Sequence, residues 1–473
     1  MNSKSLRFCL RVGLCVALGA AVSGCDTVDQ LGVSNWFSGG PKKSDIKGER
    51  ISILSLNDAL KPDDTLKDTP VLLPKPYVNA EWPEPGGYAT NAMYHLEADG
   101  PLRQIWSQDA GKGSDSDSRL TAPPVVAGGR IYVLDSEAHI FAFDAKTGAP
   151  LWDEELAPKG EQSLTNMMTL GLMGENTEVD PSKGMGGGIG FDNGKVFVST
   201  GFGSVFALDG SNGKQLWKSD FSVPIINAPV ANGGRIFVSS EDNHFYALAE
   251  SDGRTLWEQQ GITESASILE STSAAVAGEY VVAPYSSGEL YAIRVTNGRV
   301  AWSDTLTRTG GVTALSELDD IAGRPVIDRD MVFAISHSGI MAAININTGD
   351  RVWTRDIGGI QTPWAAGDFV YVLTIDSQLL CLQRKDGRVK WIHQLPRWEN
   401  PDDKEDPIVW SGPALVSNRL ILVSSNGYAV SLSPYTGALL GRVEIPSGTL
   451  IAPIVANQTL YLLTRDAQLV ALR

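Results

Sequence analysis

The sequence predicts an all-β protein, an eight-bladed β-propeller built from four-stranded antiparallel blades. Two observations predict this fold. Between residues 148 and 391 of the 473-residue chain, a glycine stands four residues before a tryptophan at six places, and Gly437–Gly441 keeps the spacing without the ring. A short apolar strand with a small central residue precedes each copy, and an eighth such strand occurs at 469–473. Self-similarity at about 40–50 residues is typical of propellers and solenoids. The six pairs are Gly148–Trp152, Gly213–Trp217, Gly253–Trp257, Gly298–Trp302, Gly349–Trp353 and Gly387–Trp391.

Each strand of a blade has its own sequence signal. A proline usually opens the first strand, where no ladder donor is lost. Pairs such as Gly128-Gly129 then suit a tight hairpin turn with positive φ, and the second strand follows. The third strand carries the small residue, which indicates a crowded contact. A glycine turn leads to the fourth strand, where we interpret the tryptophan as a packing anchor between blades rather than a ligand platform. The small residues are Ala142, Ala207, Ala247, Ala292, Ala343, Cys381, Ser431 and Ala471.

The two ends of the repeat region predict how the ring closes. The eighth repeat, Pro453–Arg473, has signals for three strands only. Upstream of the first repeat, Leu102–Trp106 has the pattern of a fourth strand without a blade. Joining the two removes exposed sheet edges. The strand near Trp106 is therefore predicted to complete the C-terminal blade.

The N-terminus has the pattern of a lipoprotein signal peptide. A basic start precedes an apolar run, Val12–Val22, which is too short to span a bilayer. The run leads into Val22-Ser23-Gly24-Cys25, which resembles a bacterial lipobox. We predict cleavage of residues 1–24, lipidation of Cys25, a partly extended tether over 25–98 that packs in part on the propeller, and a propeller over 99–473.

Composition limits the possible functions. The formal net charge is −16 without a basic cluster in the body, which argues against nucleic acid as a partner. Of the four cysteines, Cys9 and Cys15 fall in the signal peptide and Cys381 occupies the small-residue position, so no disulfide is expected. The five histidines show no metal-ligand spacing, and no nucleophile elbow occurs. The sequence therefore predicts no catalytic residue, no metal site and no cofactor.

The repeat Ala-Leu-Asp-Gly-Ser-Asn-Gly-Lys-Gln-Leu-Trp at 207–217 resembles two families of eight-bladed propellers. One is the quinoprotein alcohol dehydrogenases, and the other is the BamB lipoproteins of the outer-membrane β-barrel assembly machine. The lipobox at Cys25 and the length of a bare propeller favour BamB. The dehydrogenases also carry an adjacent-cysteine disulfide beside the cofactor and a calcium site of Glu, Asn and Asp, whereas this chain has no vicinal cysteines.

Similarity to BamB implies a non-enzymatic scaffold that docks the POTRA domains of BamA, with the other Bam subunits and unfolded outer-membrane proteins as further partners. The alternative is a periplasmic oxidoreductase that uses pyrroloquinoline quinone. A lipoprotein that binds cell-wall material is a third possibility, for which the sequence gives no positive sign.

Two loops match the partner-docking motifs of the BamB family in part. Leu269 matches the second leucine of a Leu-x-Leu-Arg loop, but Glu270 replaces the arginine. Asp320 matches one residue of an Asp-x-Asp loop that precedes a Pro-Val strand. The resemblance implies that Leu269 and Asp320 contact the partner, and an ordinary solvated loop is the alternative.

Two further features bear on partners and location. The step from Gly148 to Gly213 is longer than the other steps, and its excess near 159–188 contains half of the eight methionines. Long loops are often functional and methionine adapts to varied partners, so this insertion is either a partner-binding element or a short helix on the rim. Similarity to BamB implies an outer-membrane anchor facing the periplasm. Asp26, next to the lipidated cysteine, favours inner-membrane retention in enteric bacteria.

Overall fold

The computed structural model describes residues 60–116, 118–158, 186–264, 272–308 and 319–473. Residues Leu60–Arg473 form one compact unit. Cys25 and the predicted signal peptide lie outside the described residues, as do Leu269 and most of the methionine-rich insertion. The boundaries predicted for the tether and the propeller therefore stay predictions.

The described ranges contain one turn of 3-10 helix, Asp64–Leu66, and thirty-four strands. The first strand, β1 (Gln104–Asp109), belongs to the last blade. Blade 1 comprises β2 (Val125–Ala127), β3 (Arg130–Leu134), β4 (His139–Asp144) and β5 (Pro150–Glu155). Blade 2 comprises β6 (Gly187–Asp192), β7 (Lys195–Thr200), β8 (Ser204–Asp209) and β9 (Gln215–Asp220). Blade 3 comprises β10 (Val230–Asn232), β11 (Arg235–Ser239), β12 (His244–Ala249) and β13 (Thr255–Gln260). Blade 4 comprises β14 (Ala275–Ala277), β15 (Tyr280–Pro284), β16 (Glu289–Arg294) and β17 (Val300–Thr305).

The second half of the ring repeats the same plan with one addition. Blade 5 comprises β18 (Val326–Asp328), β19 (Met331–Ile335), β20 (Met341–Asn345) and β21 (Arg351–Arg355). Blade 6 comprises β22 (Trp364–Ala366), β23 (Phe369–Leu373), β24 (Gln378–Gln383) and β25 (Val389–Gln394). A separate hairpin follows, formed by β26 (Trp398–Asn400) and β27 (Glu405–Pro407). Blade 7 comprises β28 (Trp410–Val416), β29 (Arg419–Ser424), β30 (Tyr428–Leu432) and β31 (Leu439–Glu444). Blade 8 comprises β32 (Ile454–Ala456), β33 (Thr459–Leu463), β34 (Gln468–Leu472) and β1.

The predicted eight-bladed ring and its closing strand are confirmed. β1 pairs antiparallel with β34, with Trp106 opposite Ala471, so that a strand from before the first blade completes the last one. The remaining seven blades are antiparallel meanders in sequence order. Within a blade, the tryptophan of the fourth strand lies opposite the small residue of the third, as Trp152 does opposite Ala142. The small residue leaves room for the indole across the pair.

Cys381 illustrates this rule. It is fully buried and lies opposite Trp391 in the register of β24 and β25. Burial raises the pKa of its thiol well above the ordinary range, so it stays protonated and behaves as a small apolar residue.

The tryptophan of one blade also contacts the glycine of the next blade. A Cβ added to Gly213 of blade 2 would lie 2.7 Å from the Trp152 ring of blade 1, and its φ of +75° disfavours any other residue. The indole N–H then donates to a carbonyl in the same turn. We call this pair of contacts the latch. Its seven N–H···O bonds are Trp106 to Lys146, Trp152 to Gly210, Trp217 to Glu250, Trp257 to Val295, Trp302 to Ile346, Trp353 to Arg384 and Trp391 to Pro434.

Residues 79–96, which we call the hub segment, run once round the ring opening and meet the blades in order. The segment begins with Asn79 on blade 8 and ends with Leu96 on blade 7. Innermost strands of a propeller leave one edge of backbone groups unpaired, and this segment supplies partners for that edge. At least one contact is made to each blade. They include Asn79 to Val455, Trp82 to Val126, Pro83 to Phe191, Glu84 to Ala231, Ala89 to Val276, Thr90 to Ile327, Tyr94 to Trp364 and Leu96 to Leu415.

Candidate functional site

The connections between successive blades all lie on one face of the ring, because each runs from the end of a fourth strand to the start of a first strand. We call this the loop face. The turns between second and third strands lie on it too, whereas the remaining turns and the hub segment lie towards the opposite face. Asp320 lies in the described part of the connection between blades 4 and 5, whereas Leu269 stands in the sequence between β13 and β14 and is outside the described residues. The methionine-rich insertion belongs to the connection between blades 1 and 2.

The structure places Asp320 inside the loop face rather than on its surface. Asp320 is 6% exposed, and its carbonyl accepts a hydrogen bond from the His337 N–H at 2.9 Å. The neighbouring Ile321 is fully buried and its N–H bonds to the carbonyl of Tyr285 at 3.4 Å. Asp320 therefore fixes the connection between blades 4 and 5. A partner contact at Asp320 stays a prediction, and so does one at Leu269.

A cavity of about 320 Å³ lies on the ring axis and opens through the loop face. Its walls are the starts of the inner strands of blades 6, 7 and 8, and residues of the hub segment, including Trp82, complete it. Two cationic side chains, Arg119 and Arg324, line an otherwise largely apolar surface. The arrangement suits an apolar group that carries a negative charge.

Glu84 of the hub segment is a buried carboxyl group. Its Oε1 accepts a hydrogen bond from the Ala231 N–H at 2.9 Å, and its Oε2 is buried without a partner. Burial raises the pKa of Glu84 well above its ordinary value, and the nearby charge of Asp192 raises it further. The neutral carboxyl group is thus favoured in the folded protein to a higher pH than in an exposed glutamate. Sequence reasoning missed this residue, because Glu84 stands in a turn-rich stretch without periodicity.

The sequence also missed the hairpin of β26 and β27, which projects from the connection between blades 6 and 7. Residues 401–407 are all exposed, and five carboxylates occur between Glu399 and Asp406 beside the single cation Lys404. Asp402 and Asp403 are visible in the sequence, but the pattern of a complete calcium loop is missing there.

The described residues contain no group of three or more His, Cys, Asp or Glu side chains that could hold a metal ion. The histidines that contact carboxylates do so at the surface, as His139 Nε2 does with Asp153 at 2.9 Å. The same part of the chain has no helix long and apolar enough to span a bilayer.

The comparison with protein families decides between the two resemblances. The model of the family described as "Outer membrane protein assembly factor BamB" matches residues 89–176 and 173–393, which is more than half of the chain. The chain belongs to this BamB family. The matched residues include part of the hub segment and blades 1 to 6.

Relatives of the same description extend over more of the chain. The BamB protein of Xanthomonas campestris pv. campestris is 26% identical over 464 residues, covering 98% of this chain and 97% of its own length. The BamB protein of Salmonella typhimurium is 26% identical over 374 residues, covering 78% of this chain and 88% of the relative.

Solved structures resemble the ring at the level of fold. The BamB structure from Moraxella catarrhalis gives a TM-score of 0.61 at 18% identity and covers 79% of this chain and 99% of that chain. A europium-containing methanol dehydrogenase gives a TM-score of 0.60 at 15% identity and covers 81% and 89%. These similar scores show that BamB proteins and quinoprotein dehydrogenases share the propeller, so the fold alone does not separate them.

Proposed function

We propose that this chain is a non-enzymatic lipoprotein scaffold of the Bam complex, which assists the assembly and insertion of β-barrel proteins into the outer membrane. The observation that carries the proposal is the family match across residues 89–176 and 173–393. The curated relatives described as outer membrane protein assembly factors support it, because one of them aligns with 98% of the chain.

The proposed anchor is Cys25. The lipobox at 22–25 places a lipid on this residue after cleavage, and several acyl chains on one residue give a stable membrane anchor. The protein then faces the periplasm from the outer membrane. Asp26 leaves retention at the inner membrane as the competing destination, which fractionation of the two membranes distinguishes.

The proposed partner surface is the loop face. Its connections are the least repetitive parts of the ring, and loops that a rigid scaffold positions commonly carry binding residues. Asp320 belongs to it, Leu269 stands in the sequence between the strands of blades 3 and 4, and the POTRA domains of BamA are the partner that the family resemblance implies. Asp320 acts by holding its connection in shape, since its side chain is almost fully buried.

Co-purification from detergent-solubilised envelopes tests the partner. We expect BamA to accompany the tagged wild-type protein and to be reduced several-fold by Leu269→Asp combined with Asp320→Asn. The matched control is Lys146→Ala with Lys214→Ala, two exposed turn residues on the opposite face. Thermal unfolding of each variant separates lost binding from lost folding. Absence of BamA with the wild-type protein, or equal recovery with the loop-face variant, would overturn the partner assignment.

The non-enzymatic half of the proposal has its own test. The purified protein is incubated with pyrroloquinoline quinone and calcium, and dye-linked alcohol oxidation and the visible spectrum are recorded. We expect no turnover above the protein-free control. Robust turnover would replace the scaffold with an oxidoreductase.

A further inference from the structure

The hairpin of β26 and β27 is fixed at its base by hydrogen bonds, whereas its tip is exposed to solvent. Trp398 lies opposite Pro407, and the Ile408 N–H bonds to the Arg397 carbonyl at 2.9 Å. Below them, the indole N–H of Trp410 donates to the Pro396 carbonyl at 2.8 Å. A two-stranded hairpin alone is marginally stable, so these anchors set its position on the loop face.

An apolar groove of about 290 Å³ lies beside this base. Leu373, Ile375 and Trp398 line it together with Val409, and His337 closes one end. Two of its apolar residues reach solvent, since Ile375 is 47% exposed and Val409 is 41% exposed. The groove therefore offers one large apolar side chain a concave, mostly apolar surface beside the polar hairpin.

The groove is continuous with the predicted partner position. His337 at its end donates its backbone N–H to the Asp320 carbonyl. One rim of the groove is therefore the turn of blade 5 at His337, which is hydrogen-bonded to the connection between blades 4 and 5, and the other rim is the base of the hairpin between blades 6 and 7.

The negative charge of the hairpin determines which charge a partner must carry. Glu399, Asp402, Glu405 and Asp406 form no ion pair among the described residues, and Asp403 accepts a hydrogen bond from Asn400 at 2.8 Å. Beside these five carboxylates the hairpin carries the cation Lys404. Arg397 at its base lines the groove and pairs with Asp376 at 3.2 Å, so the hairpin keeps an excess of negative charge next to the groove. Such a field attracts a cationic partner and repels an acidic one.

We propose that this groove and hairpin form a docking site for a protein segment that carries basic residues on both sides of one large apolar side chain. The apolar side chain enters the groove between Ile375 and Val409, and the flanking cations meet the hairpin carboxylates. This site goes beyond docking at Leu269 and Asp320, and it does not depend on the identity of that partner.

A fluorescently labelled peptide, Gly-Lys-Arg-Trp-Lys-Arg-Gly, serves as the probe in anisotropy titrations with the full-length protein. We expect saturable binding that weakens with salt, because the flanking charges contribute. Replacing the tryptophan of the probe by serine should weaken binding about fivefold, which is the loss expected from one buried apolar group. A peptide with glutamates in place of the basic residues should not bind.

Two protein variants test the two halves of the site. Glu399→Gln, Asp402→Asn, Glu405→Gln and Asp406→Asn together should weaken the probe about tenfold. The control removes the same charge from exposed positions elsewhere, through Glu154→Gln, Glu155→Gln, Glu258→Gln and Asp350→Asn. Its affinity should stay within about twofold of the wild type. For the groove, Ile375→Ser with Val409→Ser should weaken binding about fivefold, whereas Leu151→Ser with Leu216→Ser, of similar exposure on the outer rim, should not.

Each outcome decides the proposal. If the hairpin variant and its charge control bind the probe equally well, the overall net charge of −16 explains the binding and the proposed site is wrong. Equal affinity of the two serine pairs, or of the tryptophan and serine probes, would remove the apolar anchor and overturn it as well. Sedimentation of the protein without peptide tests whether a second copy of the chain occupies the groove. Salt-sensitive self-association that the hairpin variant abolishes would assign the groove to that second copy and overturn the proposal.

Discussion

Seven of the eight junctions between blades are closed by the latch, whereas the junction between blades 7 and 8 is built differently. At the seven, an indole packs on a glycine of the next blade and donates to the carbonyl of its turn. At the eighth junction, which we call the seam, Gly441 takes the place of the tryptophan. Blade 8 also has no turn between its third and fourth strands, because its fourth strand is β1. A groove of about 380 Å³ remains there, lined by Ala429 and Val443 on one side and by Leu102 and Leu472 on the other.

The seam is held by residues that have no counterpart at the other junctions. Leu96 exchanges backbone hydrogen bonds with blade 7 before the chain continues towards β1. The Ala98 N–H donates to Ser417 Oγ at 2.9 Å, and Arg419 Nη2 donates to the Ala98 carbonyl at 2.8 Å. The comparison teaches that seven junctions share one repeated side-chain device. The junction between blades 7 and 8 lacks it and depends instead on a backbone segment that occurs once.

The largest expected effect is the loss of a latch. Trp217 is 9% exposed, lies 5.9 Å from the Phe197 ring and donates to Glu250 at 2.9 Å. Trp217→Ala should lower the free energy of unfolding by about 3–5 kcal/mol, which is typical of truncating a buried aromatic residue. Urea denaturation followed by circular dichroism measures it. At the seam, Leu440→Ala removes a side chain that is 55% exposed and should cost less than about 0.5 kcal/mol. Comparable losses for both variants would mean that the latches do not distinguish the junctions.

A smaller effect is expected from the glycine side of the latch. Gly213 and Gly194 have φ values of +75° and +79°, so alanine is strained at both by about 1–2 kcal/mol. Only at Gly213 would the added Cβ approach an indole, that of Trp152 at 2.7 Å, whereas nothing lies within 4 Å at Gly194. Gly213→Ala should therefore be less stable than Gly194→Ala by roughly a further 1 kcal/mol in the same urea titrations. Equal destabilisation by the two substitutions would mean that Gly213 is required only for its positive φ and not for its contact with the indole.

The latches could be predicted from the sequence, whereas the segments that occur once could not. The spacing from Gly213 to Trp217 recurs, so it gave the number of blades, the closing strand at Trp106 and the burial of Cys381. The hub segment has no period, because Asn79, Glu84 and Leu96 each satisfy a different blade. Its turn-rich composition is equally typical of a linker.

The candidate site follows the same division. The two loop positions were predicted by family resemblance, and the structure adds that Asp320 is buried. The groove beside Ile375 and Val409 combines a turn of blade 6 with the connection after that blade. No sequence pattern brings those two stretches together, because only the meander of the blade does so.

A further prediction concerns the hub segment, which contacts both blades at the seam. Because the pKa of Glu84 is raised in the folded state, its neutral form favours folding. That stability is fully present below the ordinary glutamate pKa of the unfolded chain and is lost as the pH rises through the raised value. Glu84→Gln keeps an acceptor for the Ala231 N–H and does not ionise. Relative to wild type, the variant should gain stability progressively as the pH rises from the ordinary glutamate pKa towards the raised value, by about 1.4 kcal/mol for each pH unit in that interval.

Thermal unfolding across this pH range measures the effect, with Glu155→Gln as an exposed control. If the two variants follow the same pH profile, the ionisation of Glu84 does not limit the hub segment. If Glu84→Gln gains stability progressively above the ordinary glutamate pKa and Glu155→Gln does not, the ionisation of Glu84 limits the stability of the ring as the pH rises.

The smallest expected effect is a latch partly restored at the seam. A Cβ added to Gly441 would meet nothing within 4 Å, and the neighbouring Val443 lines the seam groove. Gly441→Trp should raise the free energy of unfolding by roughly 1 kcal/mol through partial burial of the ring. The gain stays below the loss at Trp217, because blade 8 offers neither a glycine platform nor the turn carbonyl. Gly441→Ala is the control, since it also removes the conformational freedom of glycine in a strand. Iodide quenching reports whether the new indole is shielded. If the new indole is as accessible as one in solution and the variant is no more stable than Gly441→Ala, the seam groove does not accept a ring.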